Sequence, residues 1–201
     1  MTLQAKNLIH LRPAQPEDVS QVAPLMIETG AGIYEFLFEG LAPEGALAKV
    51  LERVVSAEEG PYSRRNLLVA ERNGRLAGFA NAFPARLIRN QDPGPIPPER
   101  LAHFAPINET MDWESFYLSS IAVFPSDRGH GVGHALLEGV LTKARQLGFQ
   151  DVNLHFWEGN DIAHRLYERH GFVVVQTATL TPHSKFAETR SLLMRCELAE
   201  Q

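Results

Sequence analysis

The sequence predicts an α/β fold built on a mixed sheet, and three observations carry that prediction. Asn73-Gly74 separates two apolar runs, Leu67 to Glu71 and Leu76 to Phe83, which is a strong short-range signal for an antiparallel hairpin. Ser115 to Phe156 then reads as strand, helix, strand, and Phe172 to Leu180 and Ser191 to Leu198 read as two closing strands.

Taken in order, Leu8 to Arg12 alternates as a short strand, and Pro16, Glu17 and Asp18 supply the proline and acids favoured in a first helical turn. A helix is expected to about Glu28, with Pro24 forcing a kink or an early stop near Ala23. Ile33 to Phe38 is a short apolar helical patch. Pro43 to Glu58 reads as a longer amphipathic helix with Leu47, Val50, Leu51 and Val54 on one side. Between Pro84 and Trp113 five prolines accumulate in a stretch too long for an ordinary connection, so residues 84–113 read as an insertion carrying one short helix. Val132 to Leu147 is a helix closed by Gly148, Val152 to Phe156 a strand, and Asn160 to His170 a short helix stopped by Gly171. The whole chain, residues 1–201, is expected to form one domain.

Composition narrows the function. With 44% hydrophobic and 21% charged residues the chain can bury a core, which argues against disorder. A net charge of −5 would repel phosphate backbones, so nucleic acid is not an expected partner. The opening MTLQAKNLIHLRP lacks the apolar run of a signal peptide, and no stretch is apolar enough to span a bilayer; the expectation is a cytoplasmic protein with no membrane partner. The lone Cys196 excludes an internal disulfide and any multi-cysteine metal site.

The informative segment is Arg128-Gly129-His130-Gly131-Val132-Gly133-His134, joining an apolar strand to an amphipathic helix. Glycines let backbone approach a ligand, and the free amides of a first helical turn attract phosphate. A Walker A loop needs Lys and Ser or Thr after its last glycine, where His134 and Ala135 stand. A dinucleotide fingerprint from Gly131 needs a small residue where Leu136 stands, and from Gly129 where His134 stands. What remains, R-x-x-G-x-G, resembles the pyrophosphate-binding motif of the GNAT superfamily of N-acetyltransferases. A second element, Asn160-Asp161-Ile162-Ala163-His164-Arg165-Leu166-Tyr167-Glu168-Arg169-His170-Gly171-Phe172, is similar to that family's N-x-x-A-x-x-L-Y-x-x-x-G-F. Between residues 116 and 123 the apolar phase flips at Ser119-Ser120, and one extra residue, a β-bulge, would repair the register.

The resemblance implies a mostly antiparallel sheet of about seven strands flanked by helices, with a splayed central strand pair. It implies acetyl transfer from acetyl-CoA, as co-substrate and without a metal, to a primary amine of a small molecule or protein by direct attack. Ile121, Ala122 and Val123 would pair with the pantetheine arm, and a backbone amide there would stabilise the oxyanion. Arg128, Gly129, His130, Gly131, Val132, Gly133 and His134 would hold the pyrophosphate; Arg128 has the alternative of a surface salt bridge with Asp127 or another acid. Asn160 would bond the pantetheine, cap its helix, or both. Tyr167 would protonate the leaving thiolate, with ordinary core packing as its alternative. Glu114 is the first choice to take the amine proton, because it sits where the insertion feeds the central strand; Glu109 and Asp112 are alternatives, and so is a solvated surface carboxylate with water alone taking the proton. His130 and His134, four apart, are an unconvincing metal pair, with no glutamate between them and glycines around them. His155 reads as a strand residue pointing away from the main core or lining the acceptor pocket. Glu28, Tyr34, Glu35, Glu39 and the acids near Trp113 would line the acceptor side, with a solvated acidic face as the alternative, and the insertion would act as a lid. The final strands would pair between subunits of a homodimer. The rival readings are a non-catalytic acyl-CoA-binding module and a nucleotide-binding protein with an unfamiliar loop.

Overall fold

The computed structural model describes residues 8–186 and 188–199; the opening segment read above for targeting begins outside them. Seven strands form one sheet: β1 (Ile9–Pro13), β2 (Leu67–Arg72), β3 (Arg75–Pro84), β4 (Phe116–Val123), β5 (Asp151–Trp157), β6 (Val173–Thr179) and β7 (Arg190–Glu197). Their order is β1-β2-β3-β4-β5-β7-β6. Only β4 and β5 run parallel; every other neighbouring pair is antiparallel. That exception follows from the chain, because a helix crosses over between those two strands.

Helices cover both faces. Among the described residues the α-helices are α1 (Val19–Thr29), α2 (Ile33–Leu37), α3 (Leu47–Ser56), α4 (Arg86–Arg89), α5 (Pro98–His103), α6 (Ala105–Thr110), α7 (Val132–Gln146) and α8 (Asp161–Glu168). On one face Leu136, Leu137, Val140 and Leu141 of α7 and Tyr167 of α8 join Phe116, Leu118, Leu154 and Met194 of the sheet. On the other, Val22, Ala23 and Met26 of α1 and Leu51 and Val55 of α3 pack on Val69, Phe79 and Ala122.

Three expectations need correction. Of the two outcomes expected at Pro24, a kink or an early stop near Ala23, the stop does not occur: the first helix runs through the proline. Pro24 and Ser20, whose carbonyl loses its partner, both face solvent, so water meets the orphaned group. The helix expected from Pro43 begins only at Leu47, because Gly45 takes a positive φ of 75°. The 84–113 segment holds three short helices rather than one, tied back by Arg100 Nη1, which donates to the carbonyls of Leu37 and Glu39 at 3.0 and 2.7 Å.

The loop after β4 is anchored from below. Asp127, 1% exposed, accepts from Arg72 Nε at 2.9 Å, from Arg75 Nη2 at 3.4 Å and from Ser126 Oγ at 2.6 Å. The Ser126 hydroxyl first, then the arginines, hold this carboxyl below the usual aspartate range despite burial. Gly78 is a second constraint. A Cβ there would collide with the Ala122 carbonyl oxygen on β4, so only glycine lets β3 approach this closely.

Asp127→Ala should cost about 3 kcal/mol in urea unfolding, because it removes a buried carboxylate that Arg72, Arg75 and Ser126 all bond. Unfolding returns Asp127 to its ordinary pKa, so its contribution is whole above about pH 4 and fades as pH falls through the lowered folded value. The stability gap between wild type and Asp127→Asn should therefore narrow below about pH 4. Gly78→Ala should lower the urea midpoint by the equivalent of roughly 1–3 kcal/mol.

Candidate active site

The site starts from a register fault. Asn81 pairs with Ser120 but Ala82 pairs with Leu118, so Ser119 is the extra residue, a bulge on β4. It returns Ile121 and Val123 to the face of Phe116 and Leu118, as the apolar phase requires. The same point ends a second pairing: β4 meets β5 only from Phe116 to Leu118, opposite Val152 to Leu154. Beyond it β5 stays with β7 as far as Trp157, while β4 stays with β3 as far as Val123. The strands diverge, and β4 residues 119–123 lose their partner on the β5 side.

That open strand leads directly into the glycine loop. Gly131 sits at φ 84° as the N-cap of α7 and offers no side chain to the first turn. The first-turn amides of Val132, Gly133 and His134 have no intrahelical carbonyl to bond. A methyl on Gly133 would touch Leu166 Cδ2 at 3.6 Å and Val123 Cγ2 at 3.7 Å, so loop, α8 and β4 meet here. The structure thus brings together Ile121, Ala122 and Val123 with the run from Arg128 to His134 and with α8. Gly129 and His130 are exposed on the loop, and His130 Nδ1 lies 2.8 Å from the Arg128 carbonyl. Arg128 donates through Nε to the Val123 carbonyl at 3.1 Å and through Nη2 to Glu28 at 3.1 Å. Its acid partner is Glu28 rather than the adjacent Asp127.

On α8, Asn160 Oδ1 accepts from the Ala163 amide at 3.1 Å, so it caps the helix and keeps its amide hydrogens as donors. Tyr167 is buried edge-on to Phe156 and beside Phe172, at ring distances of 5.7 and 5.8 Å. Burial pushes its phenol above the ordinary tyrosine range, which keeps the hydroxyl protonated.

The carboxylates chosen from sequence are not brought to this point. Glu114 is exposed in the turn ahead of β4, where its backbone amide donates to Asp112 Oδ1 at 3.1 Å. Asp112 is engaged by Arg195 Nη2 at 2.8 Å. Glu109 lines a separate cavity of about 360 Å³ with Thr110, Gln176 and Arg195. On the helical side Glu39 pairs with Lys185 at 3.2 Å and Glu28 with Arg128, while Glu35 keeps a buried Oε2 without a hydrogen bond.

Sequence reasoning named Tyr34 and His155 on this side but missed Asn81, Tyr62 and Tyr117, which complete a polar cluster on the α1 side of the bulge. Asn81, fully buried on β3 opposite Ser120, has neither amide atom hydrogen-bonded. Tyr62 hydrogen-bonds Ser119, and Tyr34, Tyr62 and Tyr117 lie close enough that ionising one would oppose another; burial, above all, raises all three. His155 links to Thr110 Oγ1 at 2.9 Å through Nε2 and to the Tyr117 hydroxyl at 3.3 Å through Nδ1. The Thr110 hydroxyl already donates to the Ile107 carbonyl, so His155 Nε2 donates to Thr110 and Nδ1 accepts from Tyr117. Burial lowers the imidazole to about 4, leaving it neutral at physiological pH. One sequence signal was available: polar Asn81 interrupts an otherwise apolar central strand.

The comparisons agree with this geometry. The model of the acetyltransferase (GNAT) family matches residues 48–172, more than half the chain. A curated relative, GCN5-related N-acetyltransferase 6, chloroplastic, of Arabidopsis thaliana, is 30% identical over 74 residues, covering 37% of this chain and 26% of that protein. An N-acetyltransferase from Staphylococcus aureus Mu50 superposes with a TM-score of 0.71 at 19% identity, covering 92% of this chain and 99% of that one. A putative acetyltransferase from Salmonella typhimurium, solved with its cofactor acetyl-CoA, superposes at 0.60 with 18% identity, covering 96% of each chain. Seven mostly antiparallel strands, a bulged and splayed β4 and a family match over most of that core lead to one conclusion: this chain belongs to the GNAT acetyltransferase family.

Proposed function

We propose that the protein transfers an acetyl group from acetyl-CoA to a primary amine, and that β4 and its glycine loop hold the co-substrate. The observation that carries this reading is the splay at Ser119, which leaves β4 residues 119–123 without a strand partner on the side that runs into the uncapped start of α7, where the Val123 carbonyl meets Arg128 Nε. An arm with amide groups can add to that open strand edge as a further strand would. Its pyrophosphate then meets the amides of Gly129 to His134, where the helix dipole favours negative charge. Arg128 exchanges Glu28 for phosphate when the co-substrate arrives.

The thioester carbonyl lies against a strand amide, which stabilises the oxyanion as the amine attacks. The C–S bond breaks as the C–N bond forms, the thiolate takes the Tyr167 proton, and the phenolate, disfavoured by burial, recovers a proton through the water that took one from the amine. The amine enters from the α1 side. There the Tyr117 hydrogen is committed to His155, so the phenolic oxygen is presented as an acceptor, and the free Asn81 amide offers a second partner. Donor N–H groups suit this lining, and the buried Glu35 oxygen suits a cation. Glu114 is exposed in the turn ahead of β4, and water takes the amine's proton in its place. Residues 84–113 form a wall of the acceptor side within the single domain. The exposed valines of β6, Val173 to Val175, are the surface through which two copies would pair.

Tyr167→Phe should lower kcat for CoA release about 10- to 100-fold with acetyl-CoA affinity unchanged. An unchanged kcat would remove Tyr167 from the chemistry, and the absence of turnover with any amine in a broad panel would favour a non-catalytic acyl-CoA-binding module. Tyr117→Phe should raise the acceptor KM severalfold and leave the KM for acetyl-CoA unaltered, as steady-state kinetics on both substrates will show.

A further inference from the structure

We propose that His134, Glu138 and His170 form a binding site for a divalent transition-metal ion of the zinc type, clamping the start of α7 to the end of α8. The three ligand atoms lie within 4.8 Å of one another. His134 and Glu138 are four residues apart on one face of α7, and His170 reaches them from just beyond α8. His134 Nδ1 stands 2.7 Å from His170 Nε2, which stands 3.5 Å from Glu138 Oε1. The pairing is with His170, distant in sequence, and not with the neighbouring His130, whose ring turns to the Arg128 carbonyl.

The direction of the hydrogen bonds argues for a cation. His170 Nδ1 lies 2.7 Å from the Leu166 carbonyl, which can only accept, so Nδ1 carries a proton. A neutral His170 therefore turns the lone pair of Nε2 toward both His134 and the Glu138 carboxylate. A hydrogen on His134 Nδ1 satisfies the first contact and leaves the carboxylate facing a lone pair. A single metal ion satisfies all three groups at once, whereas a second proton on His170 would satisfy only its contact with Glu138 or with His134. Backbone fixation of the far ring nitrogen is also how metal-bound histidines are oriented. The His170 side chain is only 4% exposed, so its ring is set by packing, whereas Glu138 is 51% exposed and can adjust.

Two imidazoles and a carboxylate are a donor set zinc accepts, with water in the fourth position. Tetrahedral bonds of about 2.0–2.1 Å place ligand atoms roughly 3.3 Å apart. The exposed His134 ring must draw back by about half an ångström, and Glu138 must close in. His134 gives up its Nδ1 hydrogen and carries one on the exposed Nε2, so a neutral pair releases no net proton. The clamp joins the helix of the glycine loop to the helix of Tyr167, yet it depends only on these three side chains and stands whether or not acetyl-CoA is the co-substrate.

The test uses the full chain without a polyhistidine tag, stripped with chelator, and titrated calorimetrically with zinc chloride and, separately, with cobalt(II) followed by absorption. One ion per chain should bind with a Kd near or below about 10 μM, and His134→Ala and Glu138→Ala should each weaken it by about tenfold or more. His134 and Glu138 are exposed, so these variants report on the site even if His170→Ala fails to fold. Cobalt should give the d–d bands of a tetrahedral nitrogen and oxygen site. No binding at about 100 μM zinc, binding that His134→Ala leaves unchanged, or a thiolate charge-transfer band pointing to Cys196 would each overturn the proposal.

Discussion

The single extra residue at Ser119 is the constraint from which the rest of the site follows. A β-bulge bends its strand and interrupts its ladder, and here it falls where the parallel pairing of β4 with β5 also ends. Without it Ile121 and Val123 would face the α1 layer, out of phase with Phe116 and Leu118. With it, both halves of β4 bury apolar side chains against α7 while the backbone between them is left open on one side. Core packing and the opening of the strand pair are thus satisfied by the same insertion.

Everything beside the bulge keeps that opening rigid. Asp127, held by Arg72 and Ser126, pins the loop to the β2–β3 hairpin, so the amides at the start of α7 face outward from a fixed base. Gly78 allows β3 to lie against β4 at the Ala122 carbonyl, and no other residue fits there. On the opposite face the buried phenols and the unpartnered Asn81 retain polarity in a place where burial penalises it. A central strand gains nothing in stability from such an amide, and a ligand with complementary groups gives it a partner.

Local patterns carried much of this into the sequence. The Asn73-Gly74 turn, the glycine-rich entry to α7 and the Asn160 cap each depend on residues close together in the chain, and each could be read there. The bulge was legible because a phase flip in apolar residues has few other repairs. What could not be read depends on contacts between distant segments. Glu114 looks close to the centre in sequence, yet it lies exposed in the turn ahead of β4. The pairs Arg72 with Asp127, Arg128 with Glu28, and His134 with His170 join residues 36 to 100 positions apart, and no local pattern announces them. Pro24 misled for a related reason: its cost in a helix depends on whether the orphaned carbonyl meets solvent, which only the packed structure shows.

The central claim is that the open edge of β4 and the start of α7 bind the acyl donor. Calorimetric titration of the purified chain with acetyl-CoA, alongside Gly131→Val, tests it most directly, because Gly131 holds a left-handed conformation that a branched side chain resists. The account predicts a Kd of roughly 1–100 μM for the wild type and a loss of at least about tenfold in the variant. No heat of binding at about 1 mM acetyl-CoA, or equal affinity in both proteins, would contradict it.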